Sequence, residues 1–283
     1  MQTEEIVMEN VAQILGKRMV LEGVNLRLPS GRTTAILGPA GSGKSTLLKT
    51  IAAIVPPSSG RISIWGRDLN RMNEEEEALF RRRSSFVFQD AALWANRTVA
   101  ENIIFPLRVH FPHMEQERME ARLRRYVKMV GYRDRLDYRP SQLSMGEQKL
   151  VSLARALITE PELLFLDNPL TGLDGNAADN MAEVIRNLHT GGKTLIGCFS
   201  DPVLVSAIAD DLVILDGGRI IAHGPFREVR TSPDPAVRRI LSAVVEEATA
   251  YREDLLTLLG DWTDALEDPL QDGRSSSSEG EKQ

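Results

Sequence analysis

The run Gly38-Pro39-Ala40-Gly41-Ser42-Gly43-Lys44-Ser45-Thr46 joins residue types that together hold phosphate. It reads G-x-x-x-x-G-K-[ST]. Gly38, Gly41 and Gly43 let the backbone bend so that its N–H groups line a nest for phosphate oxygens. Lys44 adds a full positive charge near the outer phosphates, and the Ser45 hydroxyl suits Mg²⁺, which takes few protein oxygens beside phosphate and water. A glycine-rich turn that binds nothing needs no particular flanks. Here apolar Thr34-Ala35-Ile36-Leu37 precedes the loop and helix-forming Thr46-Leu47-Leu48-Lys49-Thr50-Ile51 follows it. The pattern therefore predicts a nucleoside triphosphate site that also takes Mg²⁺.

Two strand ends supply the other polar groups that such a site needs. Leu163-Leu164-Phe165-Leu166 ends in Asp167, whose carboxylate can hold Mg²⁺ directly or through water. Ser85-Phe86-Val87-Phe88 ends in Gln89, whose amide oxygen can face the same ion or an attacking water. A third candidate is Leu143-Ser144-Met145-Gly146-Glu147-Gln148, which opens a helix running through Leu153. Ser144 is a good N-cap, and the helix start offers free N–H groups; an ordinary capped helix has the same signature.

Strands and helices alternate around these residues. Ile6-Val7-Met8, Met19-Val20-Leu21 and Val24 to Leu28 read as short strands punctuated by Gly16 and Gly23. Pro56 to Gly60 is a break, and Arg61 to Gly66 a short strand. Asn73 to Arg83 reads as a helix with an acidic, solvated first turn. Residues 97–158 carry at least three helical patterns, an insertion into the α/β core. Strands return at Leu163–Asp167, Thr194–Phe199 and Leu212–Leu215, with a helix over Ala177–Leu188. Strands separated by helices predict a parallel sheet with crossovers. Asp216-Gly217-Gly218 turns a hairpin into Arg219–Gly224. Apolar residues recur at helical spacing from Ala236 to about Leu266, as suits a helix packed on the chain's own core or one binding a partner. Residues 267–283 lack apolar anchors from 272 to 281, and disorder is expected there.

Composition narrows the function classes. Basic residues number 34 against 40 acidic, a net charge of -6, which gives no basic bulk for nucleic acid. The single cysteine, Cys198, excludes an internal disulfide and fits a reducing compartment. The start, Met1-Gln2-Thr3-Glu4-Glu5, has no signal-peptide character, and no apolar run nears the ~18 residues that span a bilayer. Work at a membrane would go through partners.

The order of these motifs resembles that of the ATPase subunits of ABC transporters: phosphate loop, Gln, signature, apolar strand with Asp, D-loop and switch. The resemblance covers roughly residues 5–243. It implies an α/β P-loop ATPase domain over 1–243, with an antiparallel β subdomain and a helical subdomain at about 90–158. A helical extension over 244–266 would follow. The family signature is L-S-G-G-Q, of which this chain keeps Ser144 and Gly146. Leu173-Asp174 sits at the D-loop. The family's subunits close head-to-tail, so Ser144, Gly146 and Gln148 would complete a site on a second ATPase subunit. Within the family, Phe88 to Trp94, Thr98 to Asn102, Phe105 to His110 and Ser232 to Arg239 are similar to the Mce/Mla-type lipid-transport ATPases. That implies an integral-membrane permease, a lipid-binding component and a peripheral place on the cytoplasmic face of the inner membrane. A lipoprotein-release or drug-export ATPase is the alternative within the family.

Three positions depart from the family pattern. The Glu that polarises the attacking water is Asn168, and the switch His is Ser200. Leu15 stands where an adenine-stacking aromatic is expected, just before Gly16. An amide can orient water but cannot take its proton, and loss of a positioned base costs ~10²–10⁴ in rate. Asn168 and Ser200 thus point to a site that binds ATP and hydrolyses it poorly, paired with a different ATPase subunit. A slow homodimer with tolerated variants, and a nucleotide-gated scaffold without turnover, are the other readings.

Overall fold

In the computed structural model, residues 5–249 are described, with side chains through residue 244. The expected extension past residue 249 and the tail over 267–283 lie outside the described residues.

Strands β1 (Glu5–Leu15) and β2 (Arg18–Pro29) pair antiparallel, from Glu5 opposite Pro29 to Leu15 opposite Arg18. Alternation puts Ile6, Met8, Val11, Leu21, Val24, Leu26 and Leu28 inside. The short strands expected from the sequence are in fact these two long ones. Gly23 does not end a strand; it forms a bulge at φ 60°, and Asn10 forms another at φ 49° on the facing strand. Each bulge absorbs an extra residue and sharpens the twist.

Strand β3 (Thr33–Leu37) delivers the phosphate loop into helix α1 (Lys44–Ile51). Strands β4 (Ser59–Ile64) and β5 (Arg67–Asp68) extend the first sheet to the order β2-β1-β4-β5. Helix α2 (Glu74–Arg83) starts on an Asn73–Glu76 capping box and leads into β6 (Ser84–Val87). Three helices then pack together: α3 (Val99–His110), α4 (Gln116–Met129) and α5 (Met145–Leu157). The chain returns through β7 (Leu163–Asp167), α6 (Gly175–Thr190), β8 (Thr194–Cys198) and α7 (Pro202–Ile208). It continues through β9 (Asp211–Asp216), β10 (Arg219–Pro225), α8 (Phe226–Arg230) and α9 (Pro235–Thr249).

The second sheet has the order β10-β9-β3-β8-β7-β6, parallel except for β10. Every residue of β3, β7 and β8 is buried, as a parallel sheet covered on both faces requires. Helix α1 sits in one core with the antiparallel sheet, where Leu47, Leu48 and Ile51 meet Ile6, Ile62 and Phe165. Helices α3 to α7 fill the other core. The C-terminal ends of β3, β7 and β8 lie side by side, with Ile36 opposite Cys198 and Cys198 opposite Asp167. In such sheets ligands bind off the carboxyl ends of the strands.

Candidate nucleotide-binding site

The phosphate loop leaves β3 and enters α1 without a side-chain cap: Gly43, the N-cap, has φ 105°. The first N–H groups of α1 are thus open toward the loop, where an anion would satisfy them. Gly38 passes so close to the Leu215 carbonyl oxygen that a Cβ would collide with it. Ser42 is buried, and its Oγ is without a hydrogen-bond partner. A buried unpaired hydroxyl costs about 1–3 kcal/mol, so its place on this loop fits a ligand that accepts from it.

Side chains from the start of α1, the end of β7 and the loop after β6 meet here. Lys44 Nζ donates to the Gly38 oxygen at 2.7 Å and the Pro39 oxygen at 2.9 Å. Ser45 Oγ donates to Asp167 Oδ1 at 2.8 Å, across 122 residues of chain. Strand β6 stops at Val87, so Gln89 stands in the following loop and not at the strand end that the sequence suggested. A cavity of about 880 Å³ opens over the loop, lined by Gly38 to Gly41 and Gly43 to Thr46, with Gln89, Asn168, Thr171, Phe199 and Ser200. A neighbouring cavity of about 560 Å³ brings Gln89, Ser45 and Asp167 together with Gln148 and Lys149. Hydroxyl, carboxylate and amide oxygens are the donor set for Mg²⁺ that keeps phosphate and water ligands. Ser45, Asp167 and Gln89 therefore fit that ion.

Asn168 follows β7 in the left-handed region, at φ 46°, which Asn tolerates better than most residues. Its N–H donates to the Cys198 oxygen at 3.0 Å, tying it to the end of β8. None of the four histidines lines the 880 Å³ cavity; His189 Nδ1 instead lies 3.0 Å from Thr33 Oγ1. Leu15 is 47% exposed and off the cavity wall, where the adenine-stacking position was expected. Arg18 and Val20 on β2 line the cavity instead.

Ser144 caps α5 in a capping box: its Oγ accepts from Glu147 N at 3.2 Å, and Glu147 Oε2 accepts from Ser144 N at 2.7 Å. Ser144 and Gly146 do not line either cavity, whereas Gln148 lines the smaller one. Asp174 caps α6, its Oδ1 accepting from Ala177 N at 3.0 Å.

Two buried cations on α5 hold the surrounding loops, and neither was singled out from the sequence. Lys149 is 2% exposed, and its Nζ donates to the carbonyls of Asn168 at 3.5 Å, Pro169 at 3.4 Å and Thr171. Burial pushes its pKa down. Arg155 donates to Ala92 O at 2.7 Å and Ala91 O at 2.9 Å. Burial pushes its guanidinium down to about 10, so it stays charged near neutrality. Ala91 and Ala92 have φ of 62° and 46°, left-handed values that Arg155 helps to hold just after Gln89. A sequence signal did exist: both cations interrupt a helix whose residues from Lys149 to Leu157 are buried throughout.

Comparison with known proteins is consistent in kind. The model for the family described as "ABC transporter" matches residues 21–171. The chain is 32% identical over 246 residues to the intermembrane phospholipid transport system ATP-binding protein MlaF of Escherichia coli (strain K12), covering 87% of this chain and 91% of that protein. It is 41% identical over 217 residues to the nickel import ATP-binding protein NikO of Rhodobacter capsulatus, covering 74% and 84%. The dimeric structure of a post-hydrolysis state of the ATP-binding cassette MJ0796, bound to ADP and Pi, superposes with TM-score 0.72 at 28% identity, covering 79% of this chain and 99% of that one.

Proposed function

The chain belongs to the ABC transporter family, and on that premise we propose that it is the ATP-binding subunit of a membrane transporter for phospholipid or another lipid. It sits peripherally on the cytoplasmic face of the inner membrane, against an integral-membrane permease with a lipid-binding component beyond it. Among the described residues no helix is long and apolar enough to cross a membrane. Similarity to a phospholipid-transport subunit along 87% of the chain supports the lipid reading. Similarity to a nickel-import subunit is higher but shorter.

Gly38 to Thr46 hold the phosphates of ATP, and Ser45, Asp167 and Gln89 hold Mg²⁺. This site binds ATP and turns it over poorly. One observation carries that: among the described residues the only carboxylate lining the 880 Å³ cavity is Asp216, and it is ion-paired with Arg239 at 3.6 Å. Asn168 and Ser200 occupy the base and switch positions as neutral groups. Ser144, Gly146 and Gln148 complete the competent site of a second ATPase subunit in a head-to-tail pair. Asn168 and Ser200 also favour a second reading, a structural subunit gated by nucleotide without turnover in the complex.

Native mass with subunit identification, on the complex extracted with this chain as bait, tests the pairing. One copy of this chain with one copy of another ATPase and a permease supports it. Two copies of this chain and no other ATPase would put Asn168 and Ser200 in both sites and overturn it.

A further inference from the structure

Part of the cavity wall plays no role in holding phosphate. Helix α9 is anchored by Val237 and Leu241, both fully buried. Its Ile240, Ala243 and Val244 line the cavity, a spacing of three and four that puts them on one helix face. Arg18 and Val20 of β2 line the same cavity. The β9–β10 hairpin joins these walls to the phosphate loop. Gly218 N donates to Ser42 O at 3.0 Å, Glu22 N donates to Gly218 O at 2.9 Å, and Asp216 pairs with Arg239 of α9 at 3.6 Å. A Cβ on Gly218 would strike the Val20 carbonyl, so the hairpin lies directly on β2.

We propose that α9 is a nucleobase-binding element: the base of the bound nucleotide lies between Arg18 and Val20 on one side and Ile240, Ala243 and Val244 on the other. The proposal rests on the reading of this cavity as the ATP site. An apolar face continuous with a phosphate loop suits the flat, weakly polar body of a base. Leu15 carries no ring and is off the wall, so that position offers the base no stacking partner. A planar guanidinium stacks on aromatic faces, which gives Arg18 that role. The cavity, at about 880 Å³, is within the size range of small-ligand sites.

The test compares ATP with inorganic tripolyphosphate, both with Mg²⁺, by calorimetry on the full chain. Ala243 is exposed, so Ala243→Asp leaves the core untouched. It is expected to weaken ATP binding about tenfold, by setting a charge against the base, while tripolyphosphate binding stays unchanged. Equal losses for both ligands, or no loss of ATP, would overturn the proposal. Val244→Trp gives a second readout: ATP should change the fluorescence of the new indole and tripolyphosphate should not. An indole indifferent to ATP would also overturn it. Lys44→Ala separates the two readings, because it should weaken both ligands in a chain whose α9 is intact. ATP binding that survives Lys44→Ala would sink the phosphate-loop reading itself.

Discussion

Placing a carboxylate at residue 168 tests the proposal that this site lacks a base. A positioned base is worth about 10²–10⁴ in rate. Two features of the structure hold the gain to the low end. Ser200 stays neutral in the variant. Lys149 Nζ lies 3.5 Å from the Asn168 carbonyl oxygen, and a nearby cation draws a carboxylate toward its charged, weakly basic form. We expect Asn168→Glu to raise turnover at this site about 10²-fold. It should also destabilise the fold, because Asn168 sits at φ 46°. A residue without a short polar side chain pays about 1–2 kcal/mol there, a fall in Tm of about 2–8 °C for a chain of this size. On the proposed pairing, turnover on the partner subunit would mask the gain, so the assay is phosphate release by the complex carrying Ser144→Arg, which should disable the partner's site. Adding Asn168→Glu should lift the rate about 10²-fold above that background. A folded, ATP-binding double variant that stays at background would refute the assignment of residue 168 to the base position.

Further predictions concern the buried charges and phenols. Arg155→Lys keeps a charge but cannot reach the Ala91 and Ala92 carbonyls together. It should lower stability by about 1.5–3 kcal/mol and weaken Mg²⁺-dependent ATP binding through Gln89; an unchanged Tm in a thermal melt would contradict this. Tyr126 is pushed up to about 12, first by burial and then by its hydrogen bond to Glu160. Folding thus favours the protonated phenol: its stabilisation is whole below its ordinary pKa near 10 and is lost as pH rises through about 12. Burial also pushes Tyr132 up to about 12. Absorbance titration should show both phenolates forming near 12, and Tyr126→Phe should remove one; ionisation of both near 10 would contradict the packing.

Local chemistry was legible in the sequence, and distant contacts were not. The fold class was readable because the phosphate loop announces the strand before it and the helix after it, and each buried strand is a short apolar run. Asp167 was readable as the end of such a run. The long β1–β2 hairpin was not, since a glycine in a strand reads as a break, while Gly23 at φ 60° makes a bulge. The clamp by Arg155 left no trace in its partners, because backbone carbonyls 63 and 64 residues away carry no side-chain signal. The apolar spacing of α9 was visible from Ala236 onward, but not which face meets the cavity. Arg18 was missed because the strand pairing that turns it toward the phosphate loop is a tertiary feature. Asn168 and Ser200 stood out only through the resemblance, since a neutral residue after a strand is ordinary by itself.

The most direct test of an impaired site in a working pair compares Ser144→Arg with Asn168→Ala, each in the intact complex, by steady-state phosphate release at saturating Mg²⁺ and ATP. We expect Ser144→Arg to abolish turnover and Asn168→Ala to leave it close to the unsubstituted rate. Equal losses from the two substitutions would put working chemistry in this chain's own site and contradict the asymmetric pair.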